Sequence, residues 1–166
     1  IMTTLSSLYA QGTWGGVSVA TPDNLNAISS NPAGLGLARG NQSGMYFPFN
    51  IDEEFAMHSA NRMDGFGYSL QYNFKDGEFP DAFNPADGNI GVGTSLFPNA
   101  YVGLKWNKHH LIDLGLLYRP LNHISMAYVT QVYDDELTEI NSATYGLAIR
   151  PFLQHRLTFG ADVIYS

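Results

Sequence analysis

Apolar and polar residues alternate with a period of two from about residue 43 onward. The clearest stretch is 66–74, FGYSLQYNF, where bulky apolar residues at even positions alternate with small polar residues at odd positions. Because successive side chains of a β-strand point to opposite faces, this period predicts strands with one apolar and one polar face. The same pattern predicts strands over 43–50, 54–61, 101–107, 111–119, 123–133, 142–150 and 155–165.

The connections between these strands carry a second regularity. YRPLNH (118–123) and IRPFLQH (149–155) are predicted to be tight turns, because proline fixes φ and removes a strand donor. Each turn follows a Gly-Leu pair, in GLLYRP (115–120) and GLAIRP (146–151), and the two copies lie about one two-strand unit apart. In an up-and-down meander both turns therefore lie at one end, and the acidic segment 134–141 lies at the other. Residues 75–95, rich in Gly, Pro and Asp, are predicted to form the longest loop.

Composition favours a lipid-embedded barrel for these strands. Only 14% of the 166 residues are charged, against roughly 25% in soluble globular proteins, and the net charge is −7. No apolar run approaches the ~20 residues of a transmembrane helix, whereas predicted strands of about 9–11 residues match a tilted crossing. The polar face carries mainly Gly, Ser, Thr, Gln and Asn, and aromatic residues lie near strand ends, as in an aromatic girdle; they are Tyr101, Trp106, Tyr118 and Tyr133. A soluble β-sandwich binding module has the same alternation and stays an alternative.

Several kinds of chemistry are excluded or disfavoured. The chain has no cysteine, which excludes disulfides, thiolate metal sites and thiol nucleophiles. The acidic balance argues against nucleic acid as a partner. His109 and His110 are adjacent, so their side chains diverge in a strand, and the acidic loop residues match no EF-hand spacing. With no GxSxG motif either, we predict no catalytic residue, no metal ligand and no cofactor.

A Gly-rich segment precedes the predicted strands. NPAGLGLARG (31–40) follows PDNLNAISS (22–30), and a short helix is predicted from Asp23 to Ser30 with Thr21 or Asp23 as its N-cap. Pro32 ends this helix by biasing Asn31 away from the α region. The glycines that follow permit close backbone packing against a wall; they are Gly34, Gly36 and Gly40.

This segment resembles the N-terminal signature of FadL-type outer-membrane proteins, a superfamily that also contains the PorV-like barrels. Its members have a Gly-rich start, a short helix and then NPAGL before the first strand, and this chain has GTWGGVSVATPDNLNAISSNPAGLG (12–36). The turns of the form GLxxRP, followed by RLTFGADV (156–163), are also similar. The motif residues that carry the resemblance are Asn31, Pro32, Ala33 and Gly34. Two features depart from the family: the opening is less rich in Ala and Gly, and eight or so strands are visible where the FadL type has about fourteen.

The resemblance implies that residues 11–42 form a hatch, or plug, inside the barrel lumen; the alternative is a capping turn that leads into the first strand. It implies a non-enzymatic protein of the outer membrane of a Gram-negative-type bacterium, in contact with outer-membrane lipid. Its work would be passive transport of hydrophobic small molecules through displacement of the hatch, or a scaffold role in secretion with protein partners left open. A barrel-like domain joined to a downstream enzyme such as a peptidase is a further alternative.

The predicted organisation has three parts. Residues 1–10 are predicted to be a signal-peptide remnant, because small Ala10 precedes polar Gln11; a disordered N-terminus is the alternative. Residues 11–42 are the hatch, and 43–166 are barrel strands of an antiparallel meander, incomplete at the C-terminus. Four charges are predicted to face the lumen, where they pair with one another, contact the hatch or line a permeation path; they are Lys105, Asp113, Arg150 and Asp162.

Overall fold

A ten-stranded antiparallel sheet organises this chain in a computed structural model that describes residues 4–5, 18–25, 27–47, 55–74, 85–133, 140–151 and 158–165. The strands are β1 (Thr4–Leu5), β2 (Gln42–Tyr46), β3 (Phe55–Met63), β4 (Phe66–Phe74), β5 (Asp87–Phe97), β6 (Ala100–Asn107), β7 (Leu111–Leu121), β8 (Ile124–Tyr133), β9 (Ile140–Ile149) and β10 (Phe159–Tyr165).

The strands form a meander. From β2 to β10 each strand pairs with the next one in the sequence, and β1 pairs with the far edge of β10. The predicted antiparallel all-β meander with one short helix is therefore confirmed. Thr4–Leu5 belong to the segment 1–10 predicted as a signal-peptide remnant, and that assignment stays a prediction.

Most strand bounds agree with the alternation. β4 is the predicted 66–74, and β6, β7, β8 and β9 match their predictions to within two residues at each end. The predicted positions 48–50, 54 and 155–157 lie outside the described residues. The turn predicted at 118–123 is shorter than expected, because β7 continues to Leu121 and only Asn122 and His123 connect it to β8. A register shift between Tyr118 and Leu121 accommodates Pro120, which has no N–H for the ladder.

The loop predicted over 75–95 is wrong in its second part, and positions 75–84 lie outside the described residues. β5 starts at Asp87 and pairs with both β4 and β6. Its alternating apolar residues, such as Ile90 and Val92, are separated by Gly91 and Gly93, and glycine normally indicates a turn or loop. In β5 the glycines instead leave room for a segment that lies against the sheet.

That segment comprises residues 18–40, described except for position 26, and we call it the crossing segment. It contains the helix α1 (Ala27–Ser30) and a 3-10 helix, Pro32–Gly36. The helix predicted from Asp23 is therefore too long, and neither predicted cap acts as one: Thr21 Oγ donates to the Ser18 carbonyl (3.1 Å), and Asp23 binds arginines. Pro32 begins the 3-10 helix, which Asn31 caps by accepting a hydrogen bond from Ala33 N–H (3.0 Å).

The sheet curves around the crossing segment. The Asn24 carbonyl accepts a hydrogen bond from Arg62 on β3 (3.3 Å), while its neighbour Asp23 pairs with Arg150 at the end of β9. Strands six positions apart would be separated by about 29 Å in a flat sheet, whereas consecutive Cα atoms are only about 3.8 Å apart. The face that carries the crossing segment, here called the covered face, is therefore concave.

Apolar cores lie between the crossing segment and the covered face. One cluster joins Leu25, Ala27, Ile28 and Leu35 of the segment to Ala60 of β3. A second joins Ala33 and Leu37 to Leu117 of β7. Burial of these side chains is the main apolar stabilisation of the contact between the segment and the sheet.

A track of glycines makes this contact possible. Three pairs of these glycines face each other across neighbouring strands: Gly67 and Gly91, Gly93 and Gly103, and Gly103 and Gly115. The complete track comprises Gly67, Gly91, Gly93, Gly103, Gly115, Gly146 and Gly160. A Cβ at Gly93 would lie 2.6 Å from the Pro32 carbonyl oxygen, and one at Gly103 would overlap the same carbonyl group. Backbone of the crossing segment therefore lies directly on backbone of the sheet, with no side chain between them.

Gly103→Ala is expected to lower the free energy of unfolding by about 1–3 kcal/mol, because the new methyl group overlaps the Pro32 carbonyl. Gly88→Ala on β5 is the matched control, since its Cβ would meet the nearest atom at an ordinary 3.5 Å. Urea unfolding of both variants under identical conditions measures the difference. Equal stabilities of the two variants would show that the crossing segment does not lie on Gly103.

Candidate functional site

The contact between the crossing segment and the covered face holds most of the buried polar side chains, and it is the candidate site. Those described as buried are Ser18, Thr21, Asn31, Arg62, Lys105, Asp113 and Ser125. Since a buried polar group destabilises the fold unless it is paired, their partners show what holds the segment in place.

Asn31, the first residue of the NPAG motif, connects three backbone segments. Its amide donates to the carbonyl oxygens of Val19 (2.9 Å) and Leu116 (3.2 Å), in addition to the cap on Ala33. Asn31 is fully buried and lies against Gly115, where a Cβ would overlap its side-chain oxygen. The motif asparagine therefore fixes the segment to β7 as well as capping the 3-10 helix.

The other motif residues supply close contacts. Pro32 lies on Gly93 and Gly103, and Ala33 packs in the cluster with Leu37 and Leu117. Gly34 leaves no space for a Cβ, which would come within 2.5 Å of the Pro22 side chain. Its carbonyl accepts a hydrogen bond from Arg62 (2.8 Å).

Arg62 of β3 holds the opposite side of the segment. The side chain is completely buried, and it donates to the carbonyls of Asn24 (3.3 Å), Gly34 (2.8 Å) and Leu37 (2.6 Å). A guanidinium is suited to this role because its fan of N–H groups binds several carbonyl oxygens at once. No sequence pattern had indicated Arg62, which lies in an unremarkable stretch of β3.

Asp23 is the centre of a cluster of ion pairs that we call the Asp23 cluster. One carboxylate oxygen accepts from Arg119 (2.8 Å) and Arg39 (3.2 Å), and the other pairs with Arg150. The side chains of Asp23, Arg119 and Arg150 are each only 11–14% exposed. Arg119 and Arg150 are the arginines of the two GLxxRP copies, so the repeat delivers two cations to one carboxylate of the segment.

The arginines dominate the ionisation of Asp23. Burial raises the pKa of Asp23, but the charges and hydrogen bonds of Arg119 and Arg150 outweigh burial and hold it below its ordinary value of 3.8. Asp23 is therefore ionised at neutral pH, and its charge stabilises the folded contact.

Asp162 and Ser125 hold the start of the segment. Asp162 on β10 accepts hydrogen bonds from the Ser18 hydroxyl (2.5 Å) and from Val19 N–H (3.0 Å). The Ser125 hydroxyl of β8 donates to the Ala20 carbonyl (2.6 Å). These contacts fix residues 18–20 across the last strands of the sheet.

Lys105 and Asp113 form a buried pair on β6 and β7. They are direct cross-strand partners, and Lys105 Nζ lies 2.5 Å from an Asp113 carboxylate oxygen. Lys105 also donates a long hydrogen bond to the Ser29 carbonyl (3.5 Å), and Gln131 donates to Asp113 (2.8 Å). The pair thus connects the end of α1 to Gln131, and Gln131 in turn accepts a hydrogen bond from Asn141 of β9 (2.7 Å).

The four charges singled out from the sequence are separated in the structure. Lys105 and Asp113 bind each other, whereas Arg150 and Asp162 bind opposite parts of residues 18–23. The sequence reasoning missed Arg39, Arg62 and Asp23 as partners. The repeated Arg-Pro spacing was a signal for two members of the Asp23 cluster, but it was interpreted as a turn motif alone.

The histidines predicted to diverge lie in the β6–β7 connection. His109 Nε2 is 3.8 Å from an Asp87 carboxylate oxygen, and His110 adopts a positive φ of 62°. Within the described ranges, no group of three or more His, Cys, Asp or Glu side chains is placed to hold a metal ion.

The other face of the sheet is apolar and largely uncovered. Its exposed side chains include Ile90, Val92, Leu104, Trp106, Leu114, Leu116, Met126, Tyr145, Leu147, Phe159 and Val163. Leu116, for example, is 47% exposed, whereas Leu117, its neighbour on the covered face, is 1% exposed. Apolar patches of this extent on a protein surface indicate contact with a partner or a membrane.

Among the described residues, no helix has the length and apolar character needed to cross a bilayer. Comparisons with protein-family models, with curated proteins and with solved structures found no match for this chain.

Asp23→Asn is expected to lower the free energy of unfolding at pH 7 by on the order of 3 kcal/mol, because it leaves three arginines around a neutral side chain. The pKa of Asp23 is lowered on folding, so this contribution is complete above pH 3.8 and is lost as pH falls through the lower folded value. The wild-type advantage over Asp23→Asn should shrink accordingly in urea unfolding followed from pH 7 down to pH 3.

Asp64→Asn is the matched control. Asp64 is exposed and accepts only one described hydrogen bond, from Gly40 N–H (3.1 Å), which asparagine can also accept. This variant should remain close to wild type throughout. A difference between wild type and Asp23→Asn that is absent at pH 7, or that grows on acidification, would contradict the role given to Asp23.

Proposed function

We propose that this chain is part of an outer-membrane β-barrel in which the crossing segment acts as a plug. The observation that carries the proposal is the inverted polarity of the sheet. Its apolar face is exposed, while its polar, Gly-rich face is covered by residues 18–40. A soluble β-sandwich normally buries its apolar face against a second sheet, so this arrangement favours lipid as the surroundings of the apolar face.

The lengths of the connections between strands at the two ends of the sheet also support a barrel in the outer membrane. Asn122 and His123 alone join β7 to β8, and Pro98 and Asn99 join β5 to β6 at the same end. Of the intervals between consecutive strands from β2 to β10, the longest, 75–86, lies at the other end, whereas the interval 150–158 between β9 and β10 lies at the end with the short turns. Outer-membrane barrels have short turns at the periplasmic end and longer loops at the outer end. The Asp23 cluster would then lie near the periplasmic end.

Passive passage of hydrophobic small molecules is the activity we propose, by resemblance to FadL-type proteins. The crossing segment fills the concave side of the sheet, so passage requires that it move. Polar contacts at several separate places hold it, and release of some of them would open a path without unfolding of the strands. A scaffold role in secretion, as in PorV-like proteins, is the second candidate.

Uptake of a fluorescent dodecanoic acid derivative by Gram-negative cells that express the full-length protein tests this proposal. The protein should appear in the outer-membrane fraction, and cells that carry it should accumulate the probe faster than cells with an empty vector. Asp23→Asn should raise uptake further, because it weakens the hold on the crossing segment, whereas Asp64→Asn should match wild type.

Two outcomes would contradict the proposal in different ways. Absence from the outer-membrane fraction would overturn the location. Outer-membrane protein with uptake no faster than the empty vector would overturn transport and leave the scaffold role as the better candidate. A hydrophilic dye of similar size serves as the control for general leakage.

A further inference from the structure

An open cleft of about 450 Å³ lies beside the Asp23 cluster, between the end of the crossing segment and the strand turns. Its polar lining consists of Arg39, Arg119, Arg150, Asn99, Asn122 and Tyr101, and no carboxylate is among the described lining residues. Every one of these side chains can donate a hydrogen bond. The chain as a whole has a net charge of −7, whereas the lining of this cleft is positively charged.

The positive charge of the cleft is not balanced by Asp23. Three guanidinium groups surround the single carboxylate of Asp23, which leaves about two net positive charges. The side chains of Arg119 and Arg150 are mostly buried. Burial weakens the screening of these charges by water, so an anion placed among them would be bound more strongly than at an exposed surface.

Several N–H groups of the three arginines are unused within the described part of the chain. Arg119 binds Asp23 through Nη1 and Ser125 through Nε, and its Nη2, which has no described partner, is itself sealed from solvent and is not counted as a donor to the cleft. Arg150 uses Nη2 and Nε, and Arg39 uses only Nη2. An anion in the cleft can therefore bind Arg39 and Arg150 through their remaining N–H groups without displacing Asp23, while Arg119 contributes its positive charge.

The backbone helps to hold this arrangement. Arg119 N–H donates to the Asn99 carbonyl (2.8 Å), and Asn99 adopts a positive φ of 68°, a conformation that asparagine tolerates better than most residues. The β5–β6 turn is thereby tied to β7, and two lining residues of the cleft have fixed relative positions. The arginines are likewise held by Asp23, so the donors are preorganised for a ligand.

We propose that this cleft is a binding site for a phosphate group, either free inorganic phosphate or the phosphomonoester of a lipid headgroup. Two net positive charges match a phosphate dianion better than a carboxylate. The guanidinium forks bind phosphate oxygens in pairs, and the amides of Asn99 and Asn122 offer further donors. The proposal holds whether or not the chain lies in a membrane, because it depends only on the cleft.

Equilibrium binding to the purified full chain in a neutral detergent tests the site. One arm titrates inorganic phosphate at low salt by calorimetry, and the other measures retention of phosphatidic acid in mixed micelles, with phosphatidylcholine as the reference lipid. Arg39→Ala is the test variant, since Arg39 is the most exposed of the three arginines, with 36% of its side chain exposed. Lys108→Ala, in the β6–β7 connection at the opposite end, is the matched loss of one positive charge.

Saturable binding of inorganic phosphate that weakens about tenfold or more in Arg39→Ala, but not in Lys108→Ala, would support the site with the free ion as ligand. Selective retention of phosphatidic acid with the same dependence on Arg39, but no binding of inorganic phosphate, would support it with the lipid as ligand. Binding in neither arm, or equal losses in the two variants, would overturn the proposal.

Discussion

The structure depends on the direct contact of two backbones, that of the crossing segment and that of the sheet. At Gly93 and Gly103 the distance to the Pro32 carbonyl leaves no space even for a methyl group. Glycines must therefore occupy the covered face at these contact points, and bulky apolar residues alternate with them on the other face. The curvature of the sheet follows from the same contact, because strands as distant as β3 and β9 bind neighbouring residues of one segment.

This contact also explains how the charged residues of the covered face are paired. A charge buried on the covered face destabilises the fold unless it is paired. Asp162 and Arg150 each have a partner in the crossing segment, and Lys105 pairs with Asp113 across two strands. The two GLxxRP copies contribute Arg119 and Arg150, and both arginines reach Asp23. The repeated GLxxRP motif therefore does more than mark a turn, because each copy also places an arginine next to Asp23.

Period-two alternation was sufficient to predict the strands because it reflects the two faces of the sheet. It failed for β5, where glycines required by the crossing segment resemble a loop. The helix of the segment is shorter than propensity and capping suggested, since Asp23 binds arginines and Asn31 caps a 3-10 helix instead. The Asp23 cluster was beyond sequence reasoning, because it unites residues up to 127 positions apart through strand register and sheet curvature. The location in the outer membrane and the cargo stay predictions.

The apolar face of the sheet is proposed to contact lipid, and a pair of arginine substitutions tests this proposal most directly. Leu116 lies in the middle of β7 and Leu121 at its end, and both side chains are about half exposed on the apolar face. In phospholipid vesicles, Leu116→Arg should lower the free energy of unfolding by about 2–4 kcal/mol and Leu121→Arg by about 0–1 kcal/mol, because the penalty for arginine depends on depth in the bilayer. Small and equal effects of the two substitutions, as expected for side chains exposed to water, would contradict the account.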